Sequence, residues 1–348
     1  MKFYFLDSKM YNEVMDKSCY IGIDIGGTKI SAGLVTDSGT ILNQLKQSTP
    51  INAGRKKIIS ILAQIIAELN DHQRASGKIQ GIGIGVPGII DSKTGIIRQT
   101  PNMKITGLSI PRELKKKFRI PVVAGNDVNC GLLGEQWLGA GKKAAHIIGL
   151  FPGTGLGGAI IVNNQLVTGM HGAAGEIGHI IIDPQGPACT CGNRGCLEAF
   201  VGRWAIERDI RQALKEGEES IITKLVDGDL GRIKSKKLRK ALKKGDPLIT
   251  AIMRSVSKKL GYACVSLMHI FDPELIILGG GIIQACGKYM MPIIQKIISS
   301  DPFFKPIGHC RVVASILEDD AVILGSVALI KQTLARTAGS SAMHAHAD

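Results

Sequence analysis

The sequence predicts a two-domain α/β protein whose halves repeat one plan, and three observations carry this. The chain has 348 residues, more than a single domain usually takes, and 45% of them are apolar, enough for two cores. A strand, glycine turn, strand unit occurs at YIGIDIGGTKISAGLVTDSGTIL (Tyr20 to Leu42) and again at LFPGTGLGGAIIVNNQLV (Leu150 to Val167). After each copy, helical and strand segments alternate, so the halves are expected to face each other across a cleft.

In chain order, MKFYFLDSKMYNEVMDKSC (1–19) carries scattered acids and no apolar stretch of signal-peptide length, which predicts an N-terminal extension on a cytoplasmic protein. In the first hairpin, Gly26, Gly27 and Thr28 bring backbone N–H groups towards phosphate oxygens, Lys29 adds positive charge and Asp24 can hold Mg2+ through water. Hairpins also use paired glycines for geometry alone, so one copy leaves the reading open. The second copy, Gly153, Thr154 and Gly155, makes a pair of nucleotide loops. Next, IISILAQIIAELN, ending at Asn70, spaces its apolar residues as a helix, and GIGIGVPGII reads as a buried strand.

The stretch IPVVAGNDVNCGLLGE places a strand to Gly125 and leaves Asn126 and Asp127 at its carboxyl end, where open α/β sheets bind ligands. There Asp127 can serve as a general base and Asn126 offers both a donor and an acceptor to hydroxyls; the same pair also suits a helix N-cap. Residues 144–175 contain no Lys, Arg, Asp or Glu, but a proline and four glycines in FPGTGLGG argue for two buried strands and not a membrane span. TAIMRSVSKKLGYACVSLMHIF is a long amphipathic helix stopped by DP, and ELIILGGG is a strand ending at Gly279, Gly280 and Gly281, which can pass close to a nucleoside. No GxxxxGK[ST] sequence occurs, which excludes a P-loop enzyme.

Three of the eight cysteines fall in ACTCGNRGCLE, ten residues after the histidine of GEIGHI. In a reducing compartment disulfides are disfavoured. His179, Cys189, Cys191 and Cys196 supply one nitrogen and three sulfurs, a closed tetrahedral set that implies structural Zn2+ with no open position for catalysis. Cys19, Cys130, Cys264, Cys286 and Cys310 sit among apolar neighbours and read as ordinary buried thiols.

The formal charge of +14 raises nucleic-acid binding as a competing class. The basic residues concentrate in RELKKKFR (112–119) and GRIKSKKLRKALKKG (231–245), where leucines at helical spacing predict solvated helix faces.

DIGGTK, the Asn126-Asp127 pair, GTGLGG, GEIGH, CTCGNRGCLE and LGGG occur in the order and spacing of the ROK family of repressors and sugar kinases, and the chain most resembles the family's bacterial glucokinases. The resemblance runs from about Tyr20 to about Leu334. It implies a duplicated actin-like, ribonuclease-H-like ATPase fold, a homodimer or homotetramer, and ATP-dependent phosphorylation of glucose at its 6-hydroxyl. By the same resemblance, Asp127 is expected at the family's base position, Glu176, His179 and Glu198 are expected to bond the sugar hydroxyls, and the zinc to fix that loop. The expected layout is an extension over 1–19, a small domain over 20–131 joined by a helix over 322–336, a larger domain over 132–321 and a flexible tail over 337–348. Family repressors carry a helix-turn-helix ahead of the sugar-binding body, and about nineteen residues are too few for one, so neither nucleic acid nor membrane is an expected partner. N-acetylmannosamine or N-acetylglucosamine kinase is the alternative within the family, and a sugar-sensing regulator the alternative outside catalysis.

Overall fold

A computed structural model of the chain describes residues 18–50, 54–73, 78–101, 103–308 and 310–344. The described residues up to 142, with 168–174 and those from 319 onward, form one compact unit, and those of 143–167 and 175–318 form a second. Residues 1–17 of the expected extension lie outside the described residues, whereas Cys19 already opens the first strand.

The first unit is built on a five-stranded sheet. Strands β1 (Cys19–Ile25), β2 (Lys29–Thr36) and β3 (Ile41–Ser48) form an antiparallel meander, and β4 (Ile79–Val86) and β7 (Val122–Asn126) add parallel to β1, in the order β3-β2-β1-β4-β7. A small hairpin, β5 (Ile89–Ile90) with β6 (Ile97–Gln99), follows β4. Helices α1 (Arg55–Gln73), α2 (Ile110–Phe118) and α3 (Asp127–Leu138) fall between and after these strands. Helix α3 runs continuously across position 131/132, where the sequence layout divides the domains, and its unit continues to Lys142.

The GIGIG alternation of β4 has a packing reason. Ile82, Ile84 and Val86, with Ile21, Ile23 and Ile25 of β1, point into one core with Ile58, Leu62, Ile66 and Leu69 of α1. The glycines between them face the C-terminal helix, Ala321–His344. A Cβ at Gly81, Gly83 or Gly85 would meet Ile330, Ser326 or Val322, so a ridge of residues four apart lies in a glycine groove. At Gly83 it would stand 1.8 Å from the Ser326 carbonyl oxygen. Gly325 of the same helix packs against α3, where a Cβ would come 1.5 Å from the Cys130 carbonyl. The helix extends through 337–344, so most of the expected tail continues a helix; residues 345–348 lie outside the described residues.

The second unit repeats the sheet. Strands β8 (Ile147–Pro152), β9 (Leu156–Val162) and β10 (Gln165–Leu166) form the meander, with β11 (Leu275–Leu278) and β12 (Arg311–Ala314) parallel to β8, in the order β10-β9-β8-β11-β12. The uncharged stretch 144–175 therefore holds the two expected strands, β8 and β9, and the short β10 after them, and among the described residues no helix is long and apolar enough to cross a membrane. Helices α4 (Glu198–Val201), α5 (Arg203–Lys215), α6 (Ile222–Leu225), α7 (Ser235–Lys243), α8 (Pro247–Phe271) and α9 (Gly280–Ser299) complete it. Asp246 caps α8 by accepting from the Ile249 amide at 2.8 Å, and Asp272 in the left-handed conformation ends it. The two basic stretches are amphipathic: Leu114 of α2 and Leu238 of α7 are buried while most of their lysines are exposed.

Gly83→Ala should cost at least about 2 kcal/mol in urea denaturation, because the new methyl meets backbone and not a movable side chain. Gly131→Ala, inside α3 with Val322 Cγ2 at 3.9 Å as its nearest neighbour, should gain about 0.5–1 kcal/mol. Equal effects at the two sites would contradict the glycine-groove packing.

Candidate functional site

In the first unit the functional residues gather at the carboxyl ends of β1 and β7. Asp24 is the last but one residue of β1, and Asp127 is the first residue of α3, one step past β7. Burial, and next the charge of Asp127, push the Asp24 carboxyl up to about 7, with Asp319 adding to the rise and Lys29 opposing it. A carboxylate whose neighbour's charge helps to raise it marks a place where a cation would relieve both burial and repulsion. Lys29 pairs with Asp319 at 3.0 Å on the surface, where an ion pair is weak.

The Gly26 to Lys29 turn is closed by the Gly26 amide on the Lys29 carbonyl at 2.9 Å, and Gly27, Thr28 and Lys29 are exposed. Thr49, buried, ties the turn from behind: its hydroxyl donates to the Gly26 carbonyl at 2.7 Å and its amide to that of Thr28 at 3.0 Å. Nothing in the local pattern marks Thr49, since its task depends on the fold beyond β3.

Asn126 is the N-cap of α3. Its Oδ1 accepts from the Asn129 amide at 3.0 Å, while Nδ2 donates to the Gly88 carbonyl at 3.0 Å. The capping use that the sequence left open is thus present, and it joins the start of α3 to the loop after β4. Asp127 Oδ1 accepts from the Val128 amide at 2.9 Å, which fixes the plane of the carboxylate.

In the second unit, His179, Cys189, Cys191 and Cys196 converge, with one ligand atom from each inside 4.8 Å of the others. His179 Nδ1 lies 3.8 Å from Cys189 Sγ, and Cys191 Sγ 3.6 Å from Cys196 Sγ. Tetrahedral zinc with Zn–S bonds of about 2.3 Å separates its sulfurs by about 3.8 Å, so these edges fit the ion. The loop holds this shape by closing on itself: the Cys189 amide donates to the Asn193 carbonyl at 2.8 Å and the Gly195 amide to that of Pro187 at 2.8 Å. Gly195 has φ +71°, and a Cβ there would lie 1.5 Å from the Asp183 carbonyl, so only glycine suits it. Glu176 stands at the start of the short 3₁₀ turn Ile177–His179; burial raises its carboxyl above the usual range, with His179 opposing and Glu198 adding.

Glu198, first residue of α4, meets the Gly153 to Gly155 turn. Its Oε2 accepts from the Leu156 amide at 2.8 Å, and its Oε1 accepts from Thr190 Oγ1 and Trp204 Nε1, each at 3.3 Å. Arg203 and Trp204, at the start of α5, also hold the turn: their amides donate to the Gly153 and Thr154 carbonyls at 3.1 and 3.3 Å. Sequence reasoning missed both residues; the signal was a tryptophan, one of two in the chain, six positions past the Glu198 of the cysteine motif. Gly279 to Gly281 open α9 beside the strand that leads into this turn: a Cβ at Gly279 would meet the Phe151 ring at 2.5 Å, and one at Gly280 the Pro152 carbonyl at 2.6 Å. A Cβ at Gly281 would have only Ser235 Oγ near, at 3.9 Å.

The expected site residues thus form two sets, Asp24 to Lys29 with Asn126 and Asp127 in the first unit, and the two glycine runs, Glu176, His179, the cysteines and Glu198 in the second. The ROK family model matches residues 20–333, and the chain belongs to the ROK family. It is 38% identical to a glucokinase of Thermotoga maritima over 92% of this chain and 99% of that one, and 32% identical to a xylose repressor of Caldicellulosiruptor bescii over 90% and 78%. A ROK family glucokinase from Streptomyces griseus, solved with glucose and AMPPNP, superposes with a TM-score of 0.76 at 32% identity, covering 90% of this chain and all of that one. The fold is accordingly the duplicated actin-like ATPase fold.

The raised Asp24 carboxyl fixes a pH dependence. The unfolded chain releases this proton near pH 4 and the folded protein near 7, so the stability it contributes is complete below about pH 4 and is lost as pH rises through about 7. In metal-free buffer Asp24→Asn should raise Tm at pH 8 by at least about 3 °C and leave it unchanged at pH 4. Parallel Tm profiles for the two proteins would contradict the shift.

Proposed function

We propose that this chain is an ATP-dependent sugar kinase that makes glucose 6-phosphate. The observation that carries the reading is the Asp24 and Asp127 pair beside the Gly26 to Lys29 turn, because phosphoryl transfer needs one carboxylate for a cation and another for the attacking hydroxyl. The glucokinase of Thermotoga maritima and the glucose-bound glucokinase of Streptomyces griseus support the substrate.

In this reading Asp127 accepts the proton of the sugar 6-hydroxyl as that oxygen attacks the γ-phosphorus of ATP. Asp24 would hold Mg2+ through water, and the ion would draw charge from the phosphates. Lys29 exchanges its exposed partner Asp319 for a phosphate oxygen at small cost. In the second unit, the amides of Gly153 and Leu156 are committed within the protein, so phosphate contact falls to Thr154 and Gly155. Gly279, Gly280 and Gly281 line the nucleoside, where Gly281 leaves room.

Asn126, Glu176, His179 and Glu198 hold the sugar hydroxyls. Structural zinc on His179, Cys189, Cys191 and Cys196 would orient them; His179 faces the cluster with Nδ1, which would leave Nε2 for a sugar hydroxyl. Assembly as a homodimer or homotetramer belongs to the same proposal. The xylose repressor among the relatives supports a second reading, a sugar-sensing regulator, which would bind sugar without turnover.

Asp127→Ala tests the reading. It should lower kcat by about 10²–10⁴-fold with glucose and Mg-ATP while sugar and nucleotide affinities stay within a few-fold. A variant that keeps most of its kcat would overturn the base assignment.

A further inference from the structure

The bonds of Glu198 join two parts of the site that the reading above treats separately. Its Oε2 takes the Leu156 amide at 2.8 Å, and a Cβ on Gly155 would stand 2.2 Å from that oxygen, so the carboxylate packs directly on the backbone of the Gly153 to Gly155 turn. Its Oε1 takes the hydroxyl of Thr190, which lies between the metal ligands Cys189 and Cys191, and the indole N–H of Trp204. Trp204 packs on the buried cluster of Cys189, Cys196 and Ala199, and its own amide donates to the Thr154 carbonyl. Beside it, Arg203 Nη2 donates to Thr154 Oγ1 at 3.0 Å. The turn is therefore held from both sides by groups whose positions follow from the cysteine loop.

We infer that the metal-bound cysteine loop shapes the Gly153 to Gly155 turn through Thr190, Glu198 and Trp204, so that zinc occupancy sets nucleotide affinity as well as sugar affinity. This rests on the reading of that turn as a nucleotide loop. Thr190 and Trp204 are positioning residues: they touch neither substrate, but they orient the carboxylate that does and fix the turn against it. A carboxylate accepts about four hydrogen bonds, and these three leave one position for a sugar hydroxyl. Loss of the metal frees Thr190 to move, slackens Glu198, and lets the turn leave the geometry in which its remaining amides converge on a phosphate.

The test measures binding of AMPPNP by calorimetry, without sugar, to the zinc-loaded full chain, to the same protein after chelation, and to Trp204→Phe, Thr190→Val and Thr190→Ser. Zinc content and Tm are recorded for each. Trp204→Phe and Thr190→Val should keep their zinc and weaken AMPPNP by about three- to tenfold, a part of what one hydrogen bond to a charged group is worth, because the bond lost acts on the nucleotide only through the turn. Thr190→Ser, which restores the hydroxyl, should bind as the parent does, and chelation should weaken binding at least as much as either variant. Thr190 is exposed, so its two variants carry the test if Trp204→Phe does not fold. AMPPNP affinity within twofold of the parent in the zinc-free protein and in Thr190→Val would overturn the coupling while leaving the kinase reading in place. A parent protein that binds no AMPPNP and turns over no sugar would overturn both.

Discussion

Where a residue has no side chain, two stretches of backbone can approach until their own atoms touch, and this protein uses that approach in both units. In the first unit the glycines of β4 admit the C-terminal helix, and Gly325 brings that helix onto α3, the helix that begins with Asp127. In the second, Gly155 admits the Glu198 carboxylate and Gly195 lets the cysteine loop close on Asp183. Contacts of this kind leave no slack, because interiors are packed as densely as organic crystals. The site residues inherit their positions from the same contacts that stabilise the units.

The electrostatics follow from that rigidity. Burial and the neighbouring charge of Asp127 raise the Asp24 carboxyl to about 7, a cost that a divalent cation, or a hydroxyl donating to one of the carboxylates, would relieve. Glu176 shows the same pattern, with burial as its leading cause and a neighbouring carboxylate adding to it. Both are groups whose charge is costly in the protein alone.

Much of this was legible in the sequence. The two glycine hairpins, the matching strand and helix order after each, and the spacing of His179, Cys189, Cys191 and Cys196 depend on local periodicity and turn chemistry, and the sheets repeat one strand order as the duplication requires. The strand ending at Gly125 was short by one residue, because Asn126 still pairs with Val86 while capping α3. Thr49, Arg203 and Trp204 were missed, since the backbone amide of each donates to a carbonyl more than twenty residues away, and only the rarity of tryptophan set Trp204 apart. Glu198 was noticed as a sugar ligand, but its three bonds within the protein depend on the tertiary path of the cysteine loop.

The central claim concerns what the two sets of residues do together, and a substrate panel tests it most directly. The measurement is kcat/KM for ADP release from Mg-ATP by the zinc-loaded chain with glucose, mannose, fructose, N-acetylglucosamine and N-acetylmannosamine, against a blank without sugar. The account predicts turnover with glucose at least about tenfold ahead of each acetamido sugar, because a pocket fitted to a 2-hydroxyl seldom accommodates an acetamido group equally well. An acetamido sugar in the lead would contradict glucose as the substrate, and no turnover with any sugar would contradict the kinase.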